Sequence, residues 1–320
     1  MSQAFDRAGW QVVAHVRRAA APGMPARARL LRAPLAELDA ARLRAEGRAP
    51  SVVVHGINLI YTRWNEEAMP ALRQGIALAE ALGARLMLPG NVYNHGEAMP
   101  AVLDERTPMR PTNEKGRIRV AMEDALAERA DAGTLRATVI TAGDFFGAGT
   151  GGWFDQAVAK PMARGRIDYP GDPRLMHAWA YLPDLAEAFV AVASQAHAPA
   201  FQRLMFGGHS VTGSAFVAAL ERAAAGLGMQ PARGWRHGRL PWWALRAVGV
   251  VVPLWRELAR MAYLRRVPHA IDGRRLEALA GPLRATPLDE ALRRSLRELG
   301  YGRAEPQWAG AGSKPSGCQA

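Results

Sequence analysis

Three apolar runs, each too short for a helix and each tied to the next by a stretch with helical spacing, constrain this chain more than any other feature. "SVVVHG" (Ser51 to Gly56) leads into "EEAMPALRQGIALAEALG", whose apolar residues recur near every 3.6 positions as far as Gly83. "ARLMLPGN" reads as the second strand, "GRIRVAMEDALAERADAG" as a helix ending at Gly133, and "LRATVITAGDFFG" as the third strand with its exit loop. Earlier, "WQVVAHVR" (Trp10 to Arg17) predicts another buried strand, and "ARARLLRAP" a candidate for the next. Strands joined by crossover helices run parallel, and continuous apolar runs suit strands covered on both faces. The predicted class is therefore α/β, with a doubly wound parallel sheet. Ligands of such sheets bind outside the carboxyl ends of the strands, which points to the loops after Arg17, Gly56, Leu88 and Ile140.

Composition narrows the partners. The chain carries a net charge of +12, almost all of it from arginine, with Lys115, Lys160 and Lys314 as the lysines. These arginines are scattered, as on solvated helix faces, so no nucleic-acid partner is expected. Cys318, the sole cysteine, lies in a polar tail, which excludes a structural disulfide and a cysteine metal site and fits a reducing cytoplasm. No Cys/His or paired-carboxylate spacing specifies a metal. The most apolar segment, "LRAVGVVVPLW", is broken by Pro253 and too short to span a bilayer, so no membrane partner is expected.

After Gly147 the texture changes. A Gly-rich stretch with Trp153 and Phe154 precedes "YPGDPRLMHAWAYLPDLAEAFVAVA", where Asp184 falls in a helix starting near Leu182. From Val211 onward the chain reads as helices separated by Pro and Gly, and Trp242 and Trp243 read as packing or pocket-lining residues. The expected division is a dinucleotide-binding domain over 1–148 and a smaller, mainly helical substrate domain over 149–305. About 178–210 would return to the sheet, and 306–320 would be a disordered tail.

Taken in order, "HGIN", "LPGNVYNHG", "RPTNEKGRIRVAMEDAL" and "TAGDFFG" resemble the NAD-dependent epimerase/dehydratase branch of the extended or atypical short-chain dehydrogenase/reductase family. The resemblance runs from about Phe5 to about Gly302. It implies a Rossmann-like sheet, a bound dinucleotide, a small-molecule substrate and, in one arrangement, a homodimer. It also implies that Ser2 to Ala8 is the tail of the first helix, and that the first strand with its glycine-rich phosphate turn is missing. Either the true start lies upstream or the turn has been lost. That strand would lie in the middle of the sheet, so its absence should expose apolar surface and unpaired backbone groups.

The resemblance also assigns candidate site residues. Lys115 matches the lysine of a Tyr-x-x-x-Lys pair, which would hold the nicotinamide ribose, but the tyrosine position is Pro111, which has no proton to transfer. The serine or threonine position is Pro89. Tyr93 and Asp144 are the candidates for proton transfer in their place, with Asn91, Asn94, His95 and Tyr61 nearby in the same loops. His55 and Asn58 resemble cofactor-contact positions, although His55 could equally be a core histidine. Arg17 and Arg18, with no carboxylate beside them, favour NADP over NAD, which stays possible. The expected function is an NADP-binding oxidoreductase or epimerase acting on a hydroxyl or carbonyl compound, a nucleotide sugar among them. The alternative is a non-catalytic, dinucleotide-responsive scaffold or regulator.

Overall fold

The computed structural model describes residues 1–16, 23–57, 59–147, 152–240 and 242–302. It opens with helix α1 (Ser2–Arg7), whose Ala4 and Phe5 bury against a cluster containing Phe189. Strands β1 (Val13–His15) and β2 (Arg29–Leu31) then pair in parallel with each other. After helix α2 (Ala40–Ala45) come β3 (Val52–Val54), helix α3 (Trp64–Leu82), β4 (Arg85–Asn91), the short β5 (Val102–Leu103), helix α4 (Glu114–Asp131) and β6 (Arg136–Ala142).

The predicted alternation is present. Gly83 ends α3 in the left-handed conformation, φ +68°, as its place after the apolar stripe requires. Asn113 caps α4, its side chain accepting from the Gly116 amide at 2.9 Å, which fixes where Lys115 sits in the first helical turn.

Beyond Gly143 the chain leaves the main sheet. A Cβ at Gly143 would collide with the Ala178 carbonyl, and this close approach lets β7 (Asp144–Phe146) join a second sheet. The strands and helices that follow are β8 (Arg166–Tyr169), β9 (Met176–Tyr181), α5 (Leu182–Ala193), β10 (Phe201–Met205), β11 (His209–Thr212), α6 (Gly213–Ala225), β12 (Arg236–Arg239), α7 (Trp242–Val248), α8 (Pro253–Arg260), β13 (Ala270–Ile271), α9 (Arg274–Ala280) and α10 (Leu288–Glu298). The main sheet has the order β10-β6-β4-β3, all parallel, and the second sheet the order β11-β9-β7. Helices dominate after Val211 as expected, but β11, β12 and β13 punctuate them. These are runs of two to four residues without the alternation that marks a strand in sequence.

The β1–β2 pair is separate from the main sheet. Among the described residues β1 and β2 pair only with each other, and β3 pairs only with β4. The consequence is visible in burial. Leu86, Met87 and Leu88 of β4 are at most 1% exposed, whereas Val52, Val53 and Val54 of β3 are half-buried, although their sequence is that of a central strand. No helix among the described residues is long and apolar enough to cross a membrane. The tail at 306–320 lies outside the described residues, as does Cys318.

Two histidines in this framework couple folding to pH. Burial, and secondarily Arg119, pushes His55 down to about 4, and burial with His269 and Arg265 does the same to His177. Both are neutral in the folded chain and would take up a proton near 6.5 when unfolded. The unfolded state thus binds more protons between these values, so stability is full at neutral pH and falls as pH drops from about 6.5 to about 4. Each histidine contributes up to about 3 kcal/mol to that loss. Urea midpoints should fall from about pH 7 to about pH 5, and less steeply in His177→Phe; parallel slopes in the two proteins would contradict this.

Candidate active site

The carboxyl end of β4 carries the first part of the site. Asn91 Oδ1 accepts from the Tyr93 amide at 3.1 Å, which winds Val92–His95 into a tight turn whose side chains are all buried. Asn94 faces away, donating to Glu123 at 2.6 Å, and Glu123 in turn accepts from Arg203 at 2.7 Å. That chain of bonds pins the turn to α4 and β10 and gives Asn94 a structural role. His95 is held by the Pro108 carbonyl at 3.2 Å.

Tyr93 instead meets Tyr61, from the turn before α3, with the two phenol oxygens 2.7 Å apart. Burial raises both phenols above the usual tyrosine value of 10, Tyr93 well above it. Either oxygen can donate in this bond, and burial is the leading cause of the rise in both phenols. Tyr93, the proton-transfer candidate singled out in the sequence, therefore shares a buried phenol pair with Tyr61.

Lys115 lies on the other side of Tyr61. Its Nζ donates to the Tyr61 carbonyl at 3.0 Å and sits 5.2 Å from the centre of the Tyr61 ring. It also donates to Glu257 of α8 at 2.5 Å, and Glu257 accepts a further bond from Arg260 at 2.8 Å. The Lys115 side chain is 3% exposed, so the ammonium has lost water and gained a carboxylate. Glu257 is the lone carboxylate in residues 231–270, and this isolation in an arginine-rich stretch was the signal by which the sequence could have revealed it.

Asp144, at the start of β7, forms an ion pair with Arg265, whose side chain is 2% exposed. The guanidinium lies 4.9 Å from the Trp153 ring and 5.7 Å from the Trp179 ring. None of its nitrogens makes a well-aligned hydrogen bond among the described residues. Asp144 raises both phenols electrostatically while Arg265 lowers them, so this ion pair belongs to the same constellation. Arg265 was not read from the sequence, where it is one arginine among many.

The structure thus brings Lys115, Tyr93 and Asp144 together, with Tyr61, Glu257 and Arg265. It does not bring in His55, whose ring packs under α3 against Gly75, where a Cβ would lie 2.8 Å from Nδ1. The burial of His55 and this packing are those of the core histidine of the two readings. Asn58, Arg17 and Arg18 lie outside the described residues.

A dinucleotide at this edge would need room and a free Lys115. The cavity beside His55, Trp64 and Arg119 measures about 10 Å³, enough for one water. Glu257 meanwhile holds the lysine. The side chains suit a nicotinamide ribose chemically, since a cation stands beside two phenols at a strand end, but access requires α8 to draw Glu257 away.

No protein-family model matches the sequence, and no curated protein matches it. Solved structures do share its fold. An NAD-dependent NDP-hexosamine 5,6-dehydratase of tunicamycin biosynthesis superposes with a TM-score of 0.68 at 16% identity, covering 93% of this chain and 92% of its own. The UDP-glucuronic acid 4-epimerase from Bacillus cereus, solved with UDP-glucuronic acid and NAD, gives 0.68 at 13% identity over 93% of both chains. The UDP-glucose 4-epimerase from Thermotoga maritima, solved with UDP-glucose, gives 0.69 at 13% identity over 93% of this chain and 94% of its own. The chain has the Rossmann-like fold of NAD-dependent epimerases and dehydratases.

Proposed function

From that shared fold we propose that this chain is a dinucleotide-dependent oxidoreductase or epimerase acting on a hydroxyl or carbonyl compound, with a nucleotide sugar as the favoured class. One observation carries the reading: a buried lysine ammonium beside a pair of hydrogen-bonded phenols at the carboxyl edge of a parallel sheet. The neighbours' ligands, nucleotide sugars and NAD, support the substrate class. Arg17 and Arg18 favour NADP over NAD on sequence grounds. The dinucleotide, when bound, supplies hydride transfer, and the protein supplies position and protons.

Lys115 holds the ribose once Glu257 leaves it. Tyr61 exchanges a proton with the substrate oxygen in place of the tyrosine that Pro111 replaces, and Tyr93 steadies its phenolate by donation. The Asp144–Arg265 ion pair fixes the wall opposite the phenols. Residues 149–305, which provide Glu257 and Arg265, form the substrate side. A homodimer stays compatible with this arrangement.

The guarding contact makes a direct prediction. While Glu257 neutralises Lys115, the lysine does little to lower the Tyr61 pKa; once freed, its charge favours the phenolate. Glu257→Gln should tighten NADPH binding about tenfold, about 1.4 kcal/mol, in a calorimetric titration. It should also move the acid limb of the activity profile to lower pH. Unchanged affinity in this variant would show that α8 does not guard the lysine.

The same contact favours the second reading, a dinucleotide-responsive scaffold in which the site is held shut. Titration with NADPH and NADH, followed by assay for dinucleotide reduction with nucleotide sugars and simple hydroxy compounds, separates the two. Binding with turnover supports the enzyme, and binding without any hydride exchange supports the scaffold.

A further inference from the structure

Helices α7 and α8 pack antiparallel as a hairpin over the site. Gly249 lets them close, because a Cβ there would lie 2.8 Å from the Leu245 carbonyl oxygen and 2.9 Å from Arg256 Cα. The hairpin is fastened at its base. Trp242 donates to the Pro170 carbonyl at 2.8 Å and packs on Trp153, while Glu257 reaches Lys115.

Its other end is unusual. Val250 and Val251 at the tip are 78% and 82% exposed, and Trp243 is 76% exposed. Val248, Leu254 and Trp255 continue the apolar surface on both helices. Single exposed apolar residues are ordinary, but six gathered on one projecting hairpin mark an interaction surface.

Charge identifies the partner. Residues 231–260 hold six arginines and one carboxylate, and that carboxylate, Glu257, is turned inward to Lys115 and Arg260. Arg246 and Arg256 flank the tip, are exposed, and form no ion pair among the described residues. The surface is therefore a convex apolar tip with tryptophans at its shoulders and unpaired cations around it. Protein interfaces of standard size are broad patches, whereas this combination suits the headgroup and acyl boundary of an anionic membrane. We infer that the α7–α8 hairpin docks the chain on an anionic lipid bilayer, the valine tip entering the interface and Arg246 and Arg256 meeting lipid phosphates. This goes beyond the expectation of no membrane partner, which rested on the lack of a spanning segment. It stands independently of the catalytic reading.

The test is sedimentation of the full chain with vesicles of phosphatidylglycerol mixed with phosphatidylcholine, beside vesicles of phosphatidylcholine alone. Binding should require phosphatidylglycerol and weaken with salt. The double variant Val250→Ser/Val251→Ser, which keeps every charge, should lower affinity for the mixed vesicles about tenfold while its circular dichroism and urea midpoint match the parent. Brominated lipid should quench tryptophan emission in the parent, and less in Trp243→Phe/Trp255→Phe.

Three results would each overturn the inference. One is no binding to the mixed vesicles. Another is undiminished binding by the serine variant, which would assign the attraction to the overall charge. The third is a shift from dimer to monomer in the serine variant without lipid, which would assign the tip to a second copy of the chain.

Discussion

Arg265→Ala should destabilise the chain by about 3–5 kcal/mol, read as a lowered urea midpoint. The side chain is 2% exposed, clasped between Trp153 and Trp179 and paired with Asp144. Truncating it opens a cavity between two indoles and leaves a carboxylate facing buried phenols without its counter-charge, and both effects act in the same direction. Removing the two charges together separates them. Arg265→Met/Asp144→Asn fills most of the space and leaves no unpaired ion, so it should recover more than half of the loss. If Arg265→Ala costs under about 1 kcal/mol, the ion pair is a surface contact in solution and the wall it builds is not rigid.

Tyr61→Phe should lower kcat by about a hundredfold or more with KM little changed, because a group that moves a proton acts in the transition state. Tyr93→Phe should cost about tenfold, since the phenol it supports keeps its proton-transfer oxygen but loses a hydrogen bond. The order of the two effects is the informative part. The reverse order would return proton transfer to Tyr93, and equal small losses would favour the scaffold. Where the resemblance expects a serine or threonine and a tyrosine the chain has Pro89 and Pro111, which makes this comparison sharper.

Much of the fold was legible because its signals are local. A glycine after an apolar stripe stops α3 at Gly83, and the helix read from Gly116 to Gly133 is α4, begun two residues earlier by the Asn113 cap; Lys115 itself was placed through the motif resemblance. The partners of Lys115 could not. Tyr61 lies 54 residues away and Glu257 lies 142 away, and neither carries a local pattern that announces the contact. The Tyr61–Tyr93 pair shows the same limit, since both tyrosines were candidates but nothing local says that the turn after β4 and the turn before α3 bring their phenols together. His55 was undecidable for a different reason. A strand-end histidine can face the ligand or the helix, and only the absence of a side chain at Gly75 settles that it faces the helix. The short strands β12 and β13 exist through their partners β8 and β5, which is tertiary pairing overriding weak propensity.

The division between β2-β1 and the main sheet bears on how load passes through the molecule. A parallel ladder carries tension from strand to strand through its hydrogen bonds, and here that ladder runs from β10 to β3 and stops. A pull on the amino terminus is taken up by α1, through Phe5 and Trp10 in the cluster around Phe189 and through the Arg7–Glu187 ion pair at 2.6 Å. Among the described residues no backbone hydrogen bond ties the β1–β2 ribbon to the main sheet, so a pull on it should strip the ribbon before it loosens β4 and β6, and with them the Lys115 edge.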